Sequence, residues 1–285
     1  MPHVDLFDAR KQCLEPLPER ARHTRTWHLL ETYSSLAPEA IGDHLRAVRD
    51  KAYAAAPYGC LACWRFLDLP LAASPLYPVL LARVRASAVL LDLGCGLGQV
   101  LRQLAVDGCP PGRLIGLDAS RALVDLGFEL FRDRARPAGA PRFVVADVLA
   151  APPPSKSAPG AAALRALDGA VDIVHAASFF HLFGWAEQLA IGVRLVAMFR
   201  RPGLGRGGSA VLVGRDLGER CPLDPAVHGP GRYRHSPASL QRLWDAIGEK
   251  TRTVWLVRAE MEDGAPSLES LERVTTITYV VARLR

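Results

Sequence analysis

Three aspartates close three apolar runs in this chain, and their placement around a set of glycines suggests ligand chemistry. Asp92 ends Ala88-Val89-Leu90-Leu91, Asp118 ends Leu114-Ile115-Gly116-Leu117, and Asp147 follows Phe143-Val144-Val145-Ala146. Gly94, Gly96 and Gly98 stand at alternate positions just after Asp92, and Val100, Leu101 and Leu104 then begin a helical spacing. An apolar run, a glycine turn and a helix together let a nucleotide-like ligand lie against bare backbone. A dinucleotide site needs G-x-G-x-x-G, and counting from Gly94 its third glycine would fall where Gln99 stands. Asp118 lies 20 residues beyond Gly98, and a carboxylate at that strand end can accept both ribose hydroxyls of either NAD or a related nucleoside. Further along, His181 is a candidate base or substrate orienter, with a purely structural role as the alternative, and His235 is a candidate acceptor orienter. Arg215 is a candidate anchor for an acidic group.

The elements that must position these groups alternate strand and helix. Strands are expected at 88–92, 113–118, 142–148, 171–177 and 209–214, and two alternating strands, 251–258 and 274–282, are expected as a closing antiparallel edge. Ser120 is placed to cap a helix running through Arg132, a helix is expected over 186–199, and Ser236-Pro237 opens another to Ile247. Ahead of the glycine stretch, residues 1 to about 56 read as helical, with Ile41, Leu45 and Val48 on one face and Pro38-Glu39 as a helix start. The run 57–78 is rich in aromatics and prolines, including Tyr58, Trp64, Phe66 and Tyr77. Residues 150–162, rich in Ala and Pro, read as a surface-loop insertion.

The stretch Asp92-Leu-Gly94-Cys-Gly96-Leu-Gly98 resembles the first motif of Rossmann-like methyltransferases that bind S-adenosylmethionine (SAM). More widely, Arg65-Phe66-Leu67-Asp68-Leu69-Pro70, Phe128 to Asp133, Ser178-Phe179-Phe180-His181-Leu182-Phe183 and Tyr233-Arg234-His235-Ser236-Pro237 resemble fungal methyltransferases of meroterpenoid and related secondary metabolism. That resemblance implies an α/β, class I methyltransferase fold: a mostly parallel seven-stranded sheet with an antiparallel terminal strand. A helical cap over 1–80 would cover the substrate, and 81–285 would bind SAM. It implies cofactor contacts from Asp92, Gly94, Gly96, Gly98, Asp118, Ala119, Asp147, Val148 and Ser178. Among these, Asp92 would attract the cationic methionine end, directly or through water, Asp118 would hold the ribose, and Asp147 would hold the adenine amino group with Val148 beside the ring. The implied reaction is O-methylation of a lipophilic acid or phenol. His181, His235 and Arg215 would then orient a carboxylate, which is already ionised at neutral pH, whereas a phenol would need His181 as base. The alternatives are a SAM-binding cyclase or rearrangement enzyme, and a noncatalytic methyltransferase-like partner protein.

Composition narrows the partners. The net charge is +6, yet lysine occurs only at 11, 51, 156 and 250 and the arginines are dispersed, which speaks for coding bias rather than a nucleic-acid surface. No apolar run approaches the roughly 20 residues that span a bilayer, and Met1-Pro2-His3-Val4-Asp5 lacks a signal-peptide pattern. The expectation is a cytoplasmic enzyme for small molecules, possible as a homodimer, with no metal. Cys60-Leu-Ala-Cys63 has no second metal-ligand pair to join it, so the cysteines are expected as free thiols.

Overall fold

The computed structural model describes residues 14–135, 140–150, 160–201, 209–229, 231–263 and 275–285. Expectations for residues 1–13 and most of the 150–162 insertion lie outside the described residues. Seven strands form one sheet in the order β3-β2-β1-β4-β5-β7-β6. They are β1 (Leu90–Leu93), β2 (Leu114–Asp118), β3 (Arg142–Val145), β4 (Ile173–Ala177), β5 (Val211–Leu217), β6 (Trp255–Asp263) and β7 (Thr275–Arg283). The first five are parallel, and β7 runs antiparallel to both β5 and β6. Central strands covered on both faces must be apolar throughout, and β1, β2 and β4 are buried along nearly their whole length. On the edge strand β6 only one side is covered, so buried Trp255 alternates with exposed Leu256, Arg258 and Glu260.

Helices cover both faces. On one side lie α1 (Arg25–Thr32), α2 (Pro38–Ala55), α3 (Tyr77–Ala86), α4 (Gln99–Val106) and α5 (Arg121–Phe131). On the other lie α6 (Trp185–Met198) and α7 (Pro237–Thr251). Their starts follow local chemistry: Thr24 Oγ1 accepts from Trp27 N at 3.2 Å, Ser120 Oγ from Leu123 N at 3.2 Å, and Ser236 Oγ from Ser239 N at 3.3 Å. Ile41, Leu45, Val48 and Ala52 line the buried stripe of α2. The sequence placed the start of β6 at 251; the structure continues α7 to Thr251, because Lys250 and Thr251 extend the helix until Arg252 turns left-handed (φ 56°).

Strand β1 is flanked by β2 on one side and β4 on the other, so the chain reverses direction across the sheet between them. Ligands of such sheets bind outside the carboxyl ends of the strands at that reversal. The glycine loop leaves β1 there.

Candidate active site

Each glycine of the loop has a different surrounding. All three have positive φ: 68° at Gly94, 52° at Gly96 and 70° at Gly98. A Cβ on Gly94 would stand 2.4 Å from the Phe179 ring, and one on Gly98 would meet Arg102 Nη1 and Phe143 at 2.7 Å. A Cβ on Gly96 would meet nothing within 4 Å. The loop is therefore packed at both ends and open in the middle, which is where a ligand can approach backbone.

Asp118 faces that opening. Its Oδ2 accepts from Gly96 N and its Oδ1 from Ser120 N, both at 2.8 Å. Burial pushes its carboxyl above the ordinary value, and the two backbone N–H groups hold it back. Each carboxylate oxygen keeps a second lone pair, so the group can still take ribose hydroxyls. Ala119 follows on the exposed bend. Asp147 is exposed with Oδ1 accepting from Leu149 N at 2.9 Å, and Val148 packs beneath it, 7% exposed. Ser178 leaves β4 in a left-handed conformation (φ 53°), which a non-glycine residue adopts only under local constraint, and its N–H donates to Arg215 O at 2.8 Å.

Asp92 differs from the sequence expectation. It is buried, and its Oδ1 accepts from Nδ1 of His175, the residue opposite it on β4, at 2.7 Å. Its Oδ1 is thus engaged first by a protein histidine, a partner invisible at a separation of 83 residues.

His181, His235 and Arg215 resolve into two places rather than one. His181 Nδ1 donates to Asp216 Oδ1 at 2.8 Å. Asp216, 5% exposed, also accepts from Phe179 N at 2.7 Å and from the Tyr279 hydroxyl at 2.6 Å. This fixes the ring so that Nε2 is the nitrogen left to act, and no described residue hydrogen-bonds it. His181 and His235 share the wall of a cavity with Tyr233 and Tyr279, but its room is on the scale of one water molecule, too small for an acceptor. Arg215 neighbours Asp216 on β5, so strand alternation turns it to the other face, where Nη2 donates to Thr276 Oγ1 at 3.3 Å.

His235 is used inside the protein. Gln188 donates its amide N–H groups to the carbonyls of Phe183 and Tyr233, so its Oε1 must accept from His235 Nε2 (2.9 Å). His235 Nδ1 then accepts from Ser239 Oγ at 3.0 Å. Both ring nitrogens are occupied, and the acceptor-orienting role expected of this histidine gives way to a structural one. Burial lowers its pKa from 6.5 to about 4. A histidine with a lowered folded pKa supports stability above the unfolded value and loses it on acidification, here between pH 6.5 and about 4. The loss amounts to about 3 kcal/mol. Denaturant titrations at pH 7 and pH 4.5 should show a smaller acid penalty in His235→Gln than in the wild type; an unchanged penalty would mean that the imidazole keeps its ordinary pKa in the fold.

The N-terminal segment reaches the same edge. Tyr58 is raised in pKa by burial first, then by the negative charges of Asp118 and Cys60, while Arg232 opposes them. Tyr58 was legible only as one aromatic of the 57–78 run, and His175 and Asp216 were given no role, since none sits in a recognisable spacing. Among the described residues, Cys63, Cys95, Cys109 and Cys221 are free thiols. Among the described residues no group of three or more His, Cys, Asp or Glu is arranged to hold a metal, and no helix is long and apolar enough to cross a membrane.

Comparison with known proteins agrees with this geometry. Residues 15–67 match the meroterpenoid methyltransferase N-terminal domain and residues 91–196 the methyltransferase domain. O-methyltransferase phiE of Fungal sp. is 35% identical over 240 residues, 82% of this chain and 75% of the relative. The chain belongs to the fungal secondary-metabolite methyltransferases. O-methyltransferase atr3 of Stereocaulon alpinum is also 35% identical, over 90% of this chain and 71% of its own length. Methyltransferase ausD of Aspergillus calidoustus is 33% identical, over 87% and 83%. Among solved structures, magnesium protoporphyrin IX methyltransferase of Synechocystis with bound SAM aligns at 14% identity and TM-score 0.44, covering 92% of this chain and 94% of that one. The protein is a SAM-dependent methyltransferase.

Proposed function

We infer that this methyltransferase acts on an oxygen of a lipophilic small-molecule acid or phenol in the cytoplasm, with residues up to about 80 covering the acceptor. The observation that carries this is the fixed imidazole of His181. It stands where the chain leaves β4, next to Phe179 over Gly94, with Asp216 holding one nitrogen and the other without a protein partner. Bound SAM would supply an electrophilic sulfonium methyl, which passes to the acceptor oxygen as the S–CH3 bond breaks, with S-adenosylhomocysteine as the leaving group. The residues then have only to position and, for some acceptors, to move a proton. Towards a carboxylate, His181 orients an oxygen that is already anionic. Towards a phenol, His181 Nε2 takes the hydroxyl proton while Asp216 steadies the ring. The O-methyltransferase names carried by phiE and atr3 support oxygen as the methylated atom.

His181→Ala should therefore leave SAM affinity within about twofold and lower turnover by about 10²-fold or more if a base is needed. If the acceptor is a carboxylate, the loss should fall mainly on acceptor KM. Alkaline hydrolysis of the product separates the two, since a methyl ester is cleaved and an aryl methyl ether survives. Full activity in His181→Ala with its own acceptor would move the acceptor away from this segment.

A further inference from the structure

Arg102 and Asp133 are both 0% exposed and form an ion pair that none of the site chemistry above uses. A buried pair of this kind is weak evidence for stability on its own, because desolvation offsets the attraction. Its connections point to a task. Arg102 Nε and Nη2 donate to the two oxygens of Asp133 at 2.8 and 2.9 Å. The remaining nitrogen, Nη1, donates to the carbonyls of Leu97 and Gly98 at 2.8 and 3.2 Å. Those carbonyls belong to the glycine loop, whose Gly98 N–H closes a turn onto Cys95 O at 2.8 Å. The guanidinium is walled by Phe131, Phe143 and Phe128 at 4.5, 4.9 and 5.4 Å, so water does not compete for its donors.

The loop is gripped from a second side by α5. A Cβ on Gly127 would stand 2.4 Å from Leu97 O, so the helix lies directly on that carbonyl. Helix α5 ends at Arg132 in a left-handed turn (φ 51°), which aims Asp133 inward at Arg102. Asp133 Oδ2 accepts one more bond, from the Tyr33 hydroxyl at 2.9 Å. Tyr33 closes α1, within the N-terminal segment, and its ring meets Phe131 edge-on. The same segment touches the start of α4 again, where Gln99 Nε2 donates to Phe66 O at 3.0 Å.

We propose that Tyr33, Asp133 and Arg102 form a strut through which docking of α1 sets the backbone of the glycine loop, making Tyr33 a positioning residue for SAM. The loop's carbonyl side is held by Arg102 while its Gly96 N–H faces Asp118, so a shift of the guanidinium turns the surface that meets the cofactor. Such coupling is reciprocal: cofactor binding must in turn steady α1.

The test is SAM titration calorimetry on wild type and Tyr33→Phe, with Trp255→Phe as a control whose ring packs against Trp244 and Phe199 in the opposite helical layer. Wild-type binding in the same titration checks the SAM assignment separately. Tyr33→Phe should raise the SAM Kd threefold or more at a temperature where it is fully folded, while Trp255→Phe leaves it unchanged. Amide exchange across residues 25–36 of the wild type should slow when S-adenosylhomocysteine is added. Wild-type affinity in folded Tyr33→Phe overturns the strut. Should that variant not fold, exchange in the wild type decides alone, and rates indifferent to S-adenosylhomocysteine overturn it equally.

Discussion

Asp118→Ala is expected to weaken SAM binding by at least about tenfold. A charge-assisted hydrogen bond contributes roughly 1.5–3 kcal/mol, and about 1.4 kcal/mol is tenfold in affinity. The substitution removes more than a ribose contact. Asp118 is the acceptor for the N–H of Gly96, the loop residue with open space at its side, and for Ser120 N at the start of α5. Without it the N–H in the open middle of the loop loses its acceptor. Asp118→Asn separates the contributions: its one carbonyl oxygen keeps a single acceptor of this pair, so its loss should lie between wild type and alanine. Calorimetry giving an unaltered Kd in Asp118→Ala would remove the residue from the cofactor site.

Asp133→Ala is expected to be strongly destabilising. It strands the Arg102 guanidinium at 0% exposure among three phenylalanine rings. Breaking one side of a buried pair costs about 3–5 kcal/mol, a large share of the roughly 5–15 kcal/mol of a folded domain. The melting temperature should fall by roughly 10 °C. The cost lies mainly in the stranded charge, so the double variant Arg102→Met/Asp133→Leu should regain a good part of it. Guanidinium titrations measure both, and a loss under about 1 kcal/mol in Asp133→Ala would show that Arg102 finds a substitute partner.

The strands were readable because each central one is an apolar run closed by an acid or a turn, and the burial of β1, β2 and β4 on both faces is what such runs encode. The glycine loop and the approach of Asp118 to it were readable because both lie within one βαβ unit of contiguous residues. What escaped is what depends on partners far apart. Asp92 carries the motif position, but only the register of β1 on β4 reveals His175 beside it. Arg102 looks like any arginine of a basic chain until Asp133, 31 residues on, and Tyr33, 100 residues from Asp133, converge on it. His235 was singled out for its residue type, yet Gln188 and Ser239 occupy both its nitrogens. Arg215 and Asp216 are adjacent in sequence and therefore point to opposite faces, a consequence of strand alternation that a contiguous motif conceals.

The placement of β7 bears on how the chain acquires its shape during synthesis. It follows β6 in sequence but lies between β5 and β6, paired with both. A ribosome therefore delivers β6 before its neighbour exists, and β5 waits with an open edge. The part from β1 to β4, with the glycine loop and Asp118, can assemble meanwhile. The surroundings of His181 cannot, because Tyr279 of β7 supplies one of the bonds that hold Asp216 and through it His181. Pairings so distant in sequence form slowly, and unpaired strands attract other molecules while they wait. A chain stopped at Asp263 would keep every residue of the glycine loop yet present two open strands, so it should collect as aggregate rather than as a weakened enzyme. Slower translation and lower temperature during production would favour the intramolecular insertion of β7 over that outcome.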